Sequence, residues 1–342
     1  MHWLGKRQSH RLTRVKVIMR APDFWKTEGP LVKALTPFGK LYGAVTAWRL
    51  KHAAADSISV PVISVGNLTV GGTGKTPVVR DLVKRLKDHG HRPAVVLRGY
   101  GGRIKGPLRV DTEVHAALDV GDEALLHARD GATWVARRRA EGAKAAVSDG
   151  ATVVVLDDAH QHTSLKKDYA LLVVDGVVGF GNHRILPAGP LREDVRAGLA
   201  RADGVIVLGR DETDLANRLP GTLALAAGTL EAEAESVHLH GRKVVAFAGL
   251  GRPQKFFDTL ADLGAVVVAT HPFDDHHLYK PADIQTILDE AFGLDALPVT
   301  TEKDAMRLTL DQRQQVNVLR VAVRYKNPAI IDNLLRDVLS SR

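Results

Sequence analysis

The sequence contains no cysteine among its 342 residues. This absence excludes disulfide bonds, thiolate metal sites and cysteine nucleophiles, and it is compatible with a reducing cytosol. The sequence also lacks an apolar, uncharged run long enough to span a bilayer, and no secretory signal with its apolar core is visible. We therefore expect neither a disulfide framework nor a membrane-spanning helix.

Aromatic residues are scarce, at 5 % of the chain, and none of them alternates with basic residues in the way that stacks nucleic-acid bases. The net charge is nevertheless +8. Such a surplus suits nucleic acid, an anionic membrane surface or a phosphorylated substrate. The shortage of aromatic residues disfavours the first of these, so we expect no nucleic-acid partner.

The composition is 45 % hydrophobic and 25 % charged residues, which is typical of a folded protein with a sizeable core. The length allows two domains or one large one. Apolar strands alternate with amphipathic helices through most of the chain, which predicts mainly parallel sheets with helices on both faces.

The most informative stretch is a glycine-rich turn. Residues 60–65 are apolar and β-branched, which predicts a buried strand, and residues 78–86 have apolar side chains at helical spacing. The turn between them contains Thr69, Val70, Gly71, Gly72, Thr73, Gly74, Lys75 and Thr76. A strand, a glycine-rich turn, Lys-Thr and a helix in this order indicate a phosphate-binding P-loop.

Each part of this pattern has a physical role. Glycines let backbone N–H groups point towards an anion, and the helix N-terminus adds a favourable partial charge. Lys75 would reach the outer phosphates, and Thr76 would place its hydroxyl on Mg²⁺. Thr69 stands where the usual pattern has glycine. The alternative is a plain glycine turn between a strand and a helix, but the order of the elements favours a site for a nucleoside triphosphate.

A second candidate site follows another apolar strand. Residues 153–156 lead directly into Asp157 and Asp158. In P-loop enzymes an acidic residue at a strand end faces the Mg²⁺ side of the nucleotide. The alternatives are an N-cap pair for a following helix and, with His160 and His162 nearby, a zinc site. We prefer Mg²⁺ because the P-loop already implies it.

The N-terminal part of the chain is basic and amphipathic. Residues 1–20 carry basic but no acidic side chains, which suggests a solvated tail, and Met19 is a second possible start. Residues 23–52 combine helical apolar spacing with lysines, arginines and aromatic residues. That pattern favours a membrane-surface helix and a helical hairpin on the main domain about equally. Pro37 is expected to divide it into two pieces.

Taken together, these motifs resemble the tetraacyldisaccharide 4′-kinase family, the lipid A 4′-kinases of Gram-negative bacteria. The resemblance covers residues 19–340, and like this chain the family lacks the first P-loop glycine. It rests on Ala21-Pro-Asp-Phe-Trp25, Val65-Gly-Asn-Leu-Thr-Val-Gly-Gly-Thr-Gly-Lys-Thr-Pro77, Arg98-Gly-Tyr-Gly101, Gly121-Asp-Glu123, Asp157-Asp158 with Gln161-His162, Gly181-Asn182, Leu186-Pro-Ala-Gly-Pro-Leu-Arg-Glu193, Phe247-Ala-Gly249, Asp275-His-His277 and Thr300-Thr-Glu-Lys-Asp304. The chain departs from it at Leu97, Ala159 and His160, where the family usually has Ser, Gly and Phe.

The resemblance implies transfer of the γ-phosphate of ATP to the 4′-hydroxyl of an acylated glucosamine disaccharide 1-phosphate, with Mg²⁺ as cofactor. It implies a catalytic dyad in which Asp122 accepts the hydroxyl proton and His276 orients it, with His277 as the alternative histidine. Lys75 would neutralise the phosphates. The metal residues implied are Thr76, Asp157, Asp158 and Glu123.

The resemblance also implies substrate-facing loops and a location. The substrate-binding residues expected from it are Arg98, Tyr100, Gln161, His162, Asn182, Arg192 and Glu193. It favours the membrane-surface reading of the N-terminal segment, so we expect a peripheral, monomeric protein on the cytoplasmic face of the bacterial inner membrane. An anionic membrane surface suits the net positive charge.

The fold expected is a P-loop NTPase-type α/β/α sandwich plus a second, smaller α/β lobe, and catalysis would need the two lobes to close. The expected divisions are a basic tail at 1–18, an amphipathic membrane-associated segment at 19–55, a P-loop kinase domain at 56–221, extended linker strands at 222–240 and a C-terminal α/β domain at 241–342.

Two rival classes share parts of this pattern. Membrane-associated switch ATPases of the partitioning or septum-site type also carry Gly-Gly-x-Gly-Lys-Thr, but they have a lysine directly before the two glycines, where this chain has Val70. A GTP-binding switch needs an Asn-Lys-x-Asp motif, and Thr301-Glu302-Lys303-Asp304 does not match it. Both are therefore less favoured than the kinase.

Overall fold

Two β-sheets organise the protein, and the computed structural model describes residues 22–340 of the chain. Within that range, a nine-stranded sheet has the order β13-β8-β7-β6-β1-β5-β2-β4-β3, and a four-stranded sheet has the order β10-β9-β11-β12. The expected basic tail at 1–18 lies outside the described residues, as does the first part of the 19–55 segment.

The elements have the following bounds. The strands are β1 (Val62–Gly66), β2 (Pro93–Leu97), β3 (Leu108–Arg109), β4 (Thr133–Val135), β5 (Val153–Asp157), β6 (Tyr169–Asp175), β7 (Gly204–Leu208), β8 (Ala224–Ala232), β9 (Lys243–Ala248), β10 (Val266–Pro272), β11 (Leu297–Thr301), β12 (Asn317–Leu319) and β13 (Val321–Tyr325). The helices are α1 (Pro30–His52), α2 (Lys75–Asp88), α3 (Ala117–Val120), α4 (Asp122–Asp130), α5 (Arg139–Ser148), α6 (Val195–Leu199), α7 (Leu215–Arg218), α8 (Gln254–Asp262), α9 (Pro281–Gly293), α10 (Glu302–Ala305), α11 (Leu310–Gln314) and α12 (Pro328–Ser340). Short 3-10 helices cover Asp23–Lys26 and Ala234–Leu239.

The centre of the large sheet is parallel and buried on both faces. β1 pairs in parallel with β5 on one side and β6 on the other, and all residues of β1 and β5 are buried. Helices α2, α4 and α12 cover one face, whereas α5, α6 and α7 cover the other. This doubly covered parallel sheet confirms the predicted fold class. It also brings the P-loop and Asp157 to the same edge, because parallel strands end together.

The small sheet is the core of the second lobe. Its four strands are parallel, and α8 packs on one face while α9 packs on the other. β11 leads directly into the short helix α10, which carries the Thr-Glu-Lys-Asp segment towards α4 of the first lobe. The second lobe therefore presents polar side chains to the edge of the large sheet that carries the P-loop.

The chain crosses between the lobes twice, which differs from the expected division of the chain. Residues 222–240 were expected to be linker strands, but Ala224–Ala232 is a strand of the large sheet. Residues 241–342 were expected to form the second lobe, but β13 pairs antiparallel with β8 and α12 packs on the large sheet. The two crossings lie side by side, since the backbone N–H of Glu233 donates to the carbonyl of Arg320 at 2.9 Å.

Helix α1 is continuous through Pro37, so the expected division into two pieces is wrong. A mid-helix proline removes one backbone hydrogen bond and crowds the carbonyl four residues earlier. Packing accounts for the continuity of α1 through Pro37, because the small residues of the helix lie against a loop of the first lobe. A Cβ built on Gly39 would lie 2.6 Å from the carbonyl oxygen of Ile185, and one on Gly43 would lie 2.7 Å from the Ile185 side chain.

Candidate active site

The glycine-rich turn has the backbone that a P-loop needs. Gly74 has a φ of 88° and is the N-cap of α2, which begins at Lys75. Gly71 has a φ of 110°, and a Cβ built on Gly71 or Gly72 would meet nothing within 4 Å. These positions combine left-handed backbone with open space beside a helix N-terminus, which suits a bound phosphate group.

Two neighbouring contacts hold this turn in place. The amide of Asn67 donates to the hydroxyl of Thr73 at 3.2 Å, and the backbone N–H of Val70 donates to the carbonyl of Pro190 at 2.8 Å. Thr69 forms an isolated antiparallel bridge with Leu191 and is not among the residues with positive φ. The absence of glycine at position 69 therefore has a structural reason, because the backbone there is extended rather than left-handed.

Asp158 faces the P-loop. Its carboxylate lies 3.5 Å from the ammonium of Lys75 and accepts hydrogen bonds from Arg192 at 3.0 and 3.1 Å. Burial alone would raise the pKa of Asp158, but the charges of Lys75 and Arg192 outweigh it and lower that pKa to about 2. Asp158 is therefore a carboxylate at neutral pH, close to the Lys75 ammonium of the P-loop.

Asp157 has a different partner from its neighbour. Its Oδ2 lies 2.8 Å from Nε2 of His127, and both side chains are buried. Its Oδ1 is buried and has no hydrogen-bond partner. No helix begins between this pair and β6, so the pair does not cap one. An unpartnered buried carboxylate oxygen at this strand end fits a cation or its bound water.

The expected dyad is brought together from the two lobes. Nδ1 of His276 lies 2.9 Å from Oδ2 of Asp122. Asp122 is only 4 % exposed, and it is the first residue of α4. A Cβ built on the preceding residue, Gly121, would lie 2.5 Å from the carbonyl oxygen of Tyr100. This close approach helps to place the ring of Tyr100, whose centroid is 5.4 Å from that of His276.

His277, the alternative histidine, lies elsewhere. Its Nε2 is 3.0 Å from Oδ2 of Asp283, and its ring stacks on Phe273 with centroids 4.7 Å apart. The geometry therefore selects His276 as the partner of Asp122.

The surroundings of Asp122 are strongly positive. Nε of Arg307 lies at an ion-pair distance of 3.2 Å from its carboxylate. Burial alone would raise the pKa of Asp122, but the charge of Lys303, the hydrogen bond from His276 and the charge of Arg307 together hold this pKa well below its usual range. Asp122 is thus a carboxylate throughout the physiological pH range.

Glu123, which is expected near the metal, is paired with a lysine. Its Oε1 lies 3.2 Å from Nζ of Lys303, a residue of α10 in the second lobe. Among the described residues, no group of three or more histidine or acidic side chains is arranged to hold a metal ion. A cation here would rely on water and phosphate oxygens as well as on the protein, which is usual for Mg²⁺.

The expected substrate residues fall into two sets. Arg98 and Tyr100 are exposed in the turn after β2, beside an open groove of about 390 Å³ that Arg103, Lys105 and Arg137 also line. Arg192 is close to the P-loop through Asp158.

The second set makes hydrogen bonds within the protein. The amide of Gln161 donates to Glu193 at 2.9 Å, and Asn182 donates to the carbonyl of Ala188 at 3.1 Å. His162 lies 2.7 Å from the hydroxyl of Ser164. Burial, followed by the charge of Arg139, lowers the pKa of His162 to about 3, so it is neutral at physiological pH. These side chains shape the loops around the site.

Several polar residues at the site had no role assigned from the sequence. They are His127, Asp175, Arg252, Lys255, Lys303 and Arg307. Lys303 lies within a motif of the family resemblance, but nothing in that motif indicates its partners. Nothing local in the sequence indicates the role of His127, because its partner Asp157 lies 30 positions away.

Ion pairs at the lobe interface hold the second lobe over the P-loop. Asp175, at the end of β6, accepts hydrogen bonds from Arg252 and, at 3.2 Å, from Lys255. In the segment that carries Arg252, a Cβ built on Gly251 would lie 4.0 Å from the backbone nitrogen of Gly72. The lobes are therefore in contact at the glycine-rich turn.

Comparison with known proteins gives consistent matches. The family model LpxK, described as tetraacyldisaccharide-1-P 4′-kinase, matches residues 31–340. Tetraacyldisaccharide 4′-kinase of Rhodospirillum rubrum is 51 % identical over 331 residues, covering 94 % of this chain and 100 % of that protein. The protein of the same name from Rhodospirillum centenum is 49 % identical, covering 95 % of this chain and 98 % of that protein.

A solved structure agrees with these matches. The crystal structure of LpxK from Aquifex aeolicus in complex with ATP superposes with a TM-score of 0.74 at 28 % sequence identity. The match covers 90 % of this chain and 99 % of that one.

Proposed function

The chain belongs to the tetraacyldisaccharide-1-P 4′-kinase family, and we propose that the P-loop and the Asp122–His276 pair form its active site. The protein is an ATP-dependent phosphotransferase that phosphorylates the 4′-hydroxyl of the lipid A disaccharide 1-phosphate precursor. The family match does not favour the membrane-associated switch ATPase.

The contact between His276 and Asp122 across the lobes is the observation that carries this assignment. Asp122 would accept the proton of the acceptor hydroxyl, while the imidazole of His276 holds that carboxylate in place. The new bond joins the 4′-oxygen to phosphorus as phosphorus separates from the bridging oxygen of ADP. The low pKa of Asp122 suits a transition state with little proton transfer, in which positioning and charge neutralisation dominate.

The phosphates of ATP would bind at the N-terminus of α2. Lys75 supplies a positive charge there, and residues 69–76 supply backbone N–H groups. Thr76, Asp157 and Asp158 would hold Mg²⁺ directly or through water, and the buried free Oδ1 of Asp157 supports this choice. When bound, Mg²⁺ neutralises charge on the phosphates. We leave Glu123 out of this set because its partner is Lys303 of the second lobe, whereas Asp158 pairs with Lys75 of the P-loop itself.

The anionic disaccharide would lie in the basic groove next to Tyr100. Four cationic side chains line it, and they are Arg98, Arg103, Lys105 and Arg137. Tyr100 is 69 % exposed and lies between this groove and the imidazole of His276. Gln161, His162, Asn182 and Glu193 would fix the shape of the neighbouring loops, and Arg192 would contribute charge close to Asp158.

Helix α1 would rest on the cytoplasmic face of the inner membrane, where the lipid substrate is held. Among the described residues, no helix is long and apolar enough to cross a membrane. Large apolar side chains of α1 are exposed, namely Leu31, Phe38, Leu41, Tyr42, Val45 and Trp48. Lys33, Lys40, Arg49 and Lys51 are on the same helix. Exposed aromatic and aliphatic residues among cations suit an anionic interface, and we propose that the protein binds there as a monomer.

The test is transfer of label from [γ-³²P]ATP to the lipid disaccharide 1-phosphate in detergent, with wild-type protein and Asp122→Asn. We expect labelled lipid with the wild type and a turnover at least about 10²-fold lower with Asp122→Asn, because an amide cannot accept the proton. The KM for ATP should change little, since Asp122 is not part of the P-loop.

Asp149→Asn is the matched control, because this carboxylate pairs with Arg109, which neither lines the groove nor contacts the dyad. Thermal melting of each variant confirms that it is folded. Full turnover by Asp122→Asn would refute its role as the base. ATP hydrolysis without labelled lipid would instead point to the switch ATPase and to a search for nucleotide-dependent dimers.

A further inference from the structure

Lys303 lies beside the proposed dyad and contacts both His276 and Glu123, the neighbour of Asp122 in sequence. It follows β11 directly, as the second residue of α10, so its backbone belongs to the second lobe. Its Nζ lies 3.2 Å from Oε1 of Glu123 and 3.2 Å from Nε2 of His276. A second carboxylate, that of Asp275, lies 4.0 Å away.

The chemistry of the ammonium determines what the imidazole can do. A lysine ammonium has three donors and no acceptor. Nε2 of His276 must therefore accept a hydrogen bond from Lys303 and cannot carry a proton itself. The proton of a neutral imidazole is then on Nδ1, which lies 2.9 Å from Oδ2 of Asp122 and donates to it.

The surroundings keep Lys303 in its charged form. Burial alone would lower the pKa of this amine, but Glu123, Asp122 and Asp275 outweigh burial and raise it. The side chain is 20 % exposed and is directed by Glu123, which lies next to Asp122 at the start of α4. One ammonium therefore links α4 to the imidazole.

Arg307 has a different position in the network. Its guanidinium is 2 % exposed and donates to the carbonyl oxygens of His277 and Gly249, and it pairs with Asp304 at 2.8 Å. It touches Asp122 but makes no hydrogen bond to His276 among the described contacts. Arg307 can hold the carboxylate, but it cannot select the tautomer of the imidazole.

We propose that Lys303 is a positioning residue that holds His276 in the neutral tautomer with its proton on Nδ1, directed at Asp122. The proposal rests on the proposed function, because it concerns the same dyad. It assigns the roles within that dyad: the imidazole orients and cannot take the hydroxyl proton, so the carboxylate of Asp122 is the acceptor.

The test is long-range ¹H–¹⁵N correlation NMR of the full chain labelled with ¹⁵N-histidine, with the His276→Gln spectrum identifying the signals of His276. In the wild type we expect Nδ1 to be protonated and Nε2 to be unprotonated. Lys303→Met, which has no donor, should lose this pattern, whereas Lys303→Arg and Lys303→Gln should keep it because each can still donate to Nε2.

Turnover gives a second, independent readout. Lys303→Met should lower kcat at least about 10-fold with little change in the KM for ATP, and Lys303→Arg should restore part of the loss. Lys144→Met is the matched control, because this lysine also forms an ion pair, with Asp56, but lies on α5 and takes no part in the described contacts of the dyad. It should leave the tautomer of His276 unchanged.

Two results would overturn the proposal. One is a wild-type His276 that is doubly protonated or protonated on Nε2. The other is an unchanged tautomer in Lys303→Met, whatever happens to kcat. The wild-type spectrum can refute the proposal even if Lys303→Met does not fold. It needs neither ATP nor lipid, so failure of the kinase assay and failure of this proposal remain distinguishable.

Discussion

His276 and His277 are neighbours in sequence, but their imidazoles have different partners. His276 has a φ of 59°, a left-handed conformation that few non-glycine residues adopt, and its ring contacts Asp122. The ring of His277 contacts Asp283 instead. This turn of the backbone separates the two rings, and only the first of them reaches the other lobe. Strained backbone at such a position is common at functional sites.

His160 occupies the position where the family resemblance implies phenylalanine. Its Nε2 lies 2.9 Å from the carbonyl of Gly198, and its side chain is 1 % exposed. Burial, followed by the charges of Arg201 and Lys167, lowers the pKa of His160 to about 3. Because a histidine in the unfolded chain titrates near its ordinary pKa of 6.5, the unfolded chain binds this proton first as the pH falls.

We therefore predict that His160→Phe reduces the acid sensitivity of the protein. The neutral His160 contributes stability that is present above pH 6.5 and is lost as the pH falls towards 3. One proton is worth about 1.4 kcal/mol per pH unit. Between pH 7 and pH 5, His160→Phe should lose about 2 kcal/mol less of its free energy of unfolding than the wild type, measured by urea denaturation.

The control is His89→Phe, since His89 is exposed. Comparing pH differences rather than absolute stabilities removes the cost of the lost hydrogen bond to Gly198. If His160→Phe and the wild type lose the same stability on acidification, another group takes up the proton.

At the scale of the elements, α1 buries small side chains and exposes large apolar ones, which reverses the usual pattern of a surface helix. Its buried positions include Val32, Gly39 and Thr46, of which two are small, whereas Leu41 and Trp48 are 66 % and 65 % exposed. A helix on the surface of a globular domain normally buries its large apolar side chains. Since α1 exposes them, its outer face suits an apolar environment outside the protein.

We predict that Leu41→Ser combined with Trp48→Ser weakens binding to vesicles that contain anionic lipid. Burying each side chain contributes on the order of 1.5–3 kcal/mol, so the double variant should bind at least about 10²-fold more weakly in a co-sedimentation assay. The melting temperature should change little, because neither side chain is buried in the protein.

Phe292→Ser is the matched control, because Phe292 is 91 % exposed but lies on α9 of the second lobe. It should leave vesicle binding unchanged. Equal losses in both variants would assign the effect to general hydrophobicity, and no loss in the α1 variant would remove the membrane role of this helix.

At the scale of the whole molecule, the lobes are joined by two adjacent crossings of the chain. They are also joined by ion pairs between the end of β6 and the second lobe. The crossings meet at Glu233 and Arg320. The ion pairs join Asp175 to Arg252 and Lys255. Two adjacent crossings restrict the relative motion of the lobes more than one linker would, and the ion pairs favour the closed arrangement that the dyad needs.

We predict that Asp175→Asn weakens this closure. The amide loses both ion pairs, although Arg252 and Lys255 are each 39 % exposed and can turn to solvent, so the cost should be moderate. We expect a larger radius of gyration by X-ray scattering and a lower kcat, since opening separates His276 from Asp122.

A double-mutant cycle with Arg252→Gln tests whether the pair is responsible. If it is, the double variant should resemble the single ones, with a coupling energy of about 0.5–3 kcal/mol. Asp211→Asn serves as the control, because the described hydrogen bonds of Asp211 stay within its own loop. Strict additivity and an unchanged radius of gyration would contradict the predicted role.

Several features follow from the sequence alone because their physical causes are local. The P-loop needs glycines at left-handed positions, then Lys-Thr at a helix start, and Gly71 and Gly74 meet that need. The parallel sheet follows from alternating apolar strands and amphipathic helices. The order of the motifs predicted the family, which the comparisons confirm.

Other features depend on the tertiary structure because they join residues far apart in the chain. Asp122 and His276 are separated by 154 positions, and the sequence could not choose between His276 and its neighbour. The pairing of β13 with β8 and the contacts of Lys303 likewise depend on how the two lobes pack. Local pattern determines which elements form, but only packing decides which side chains meet between them.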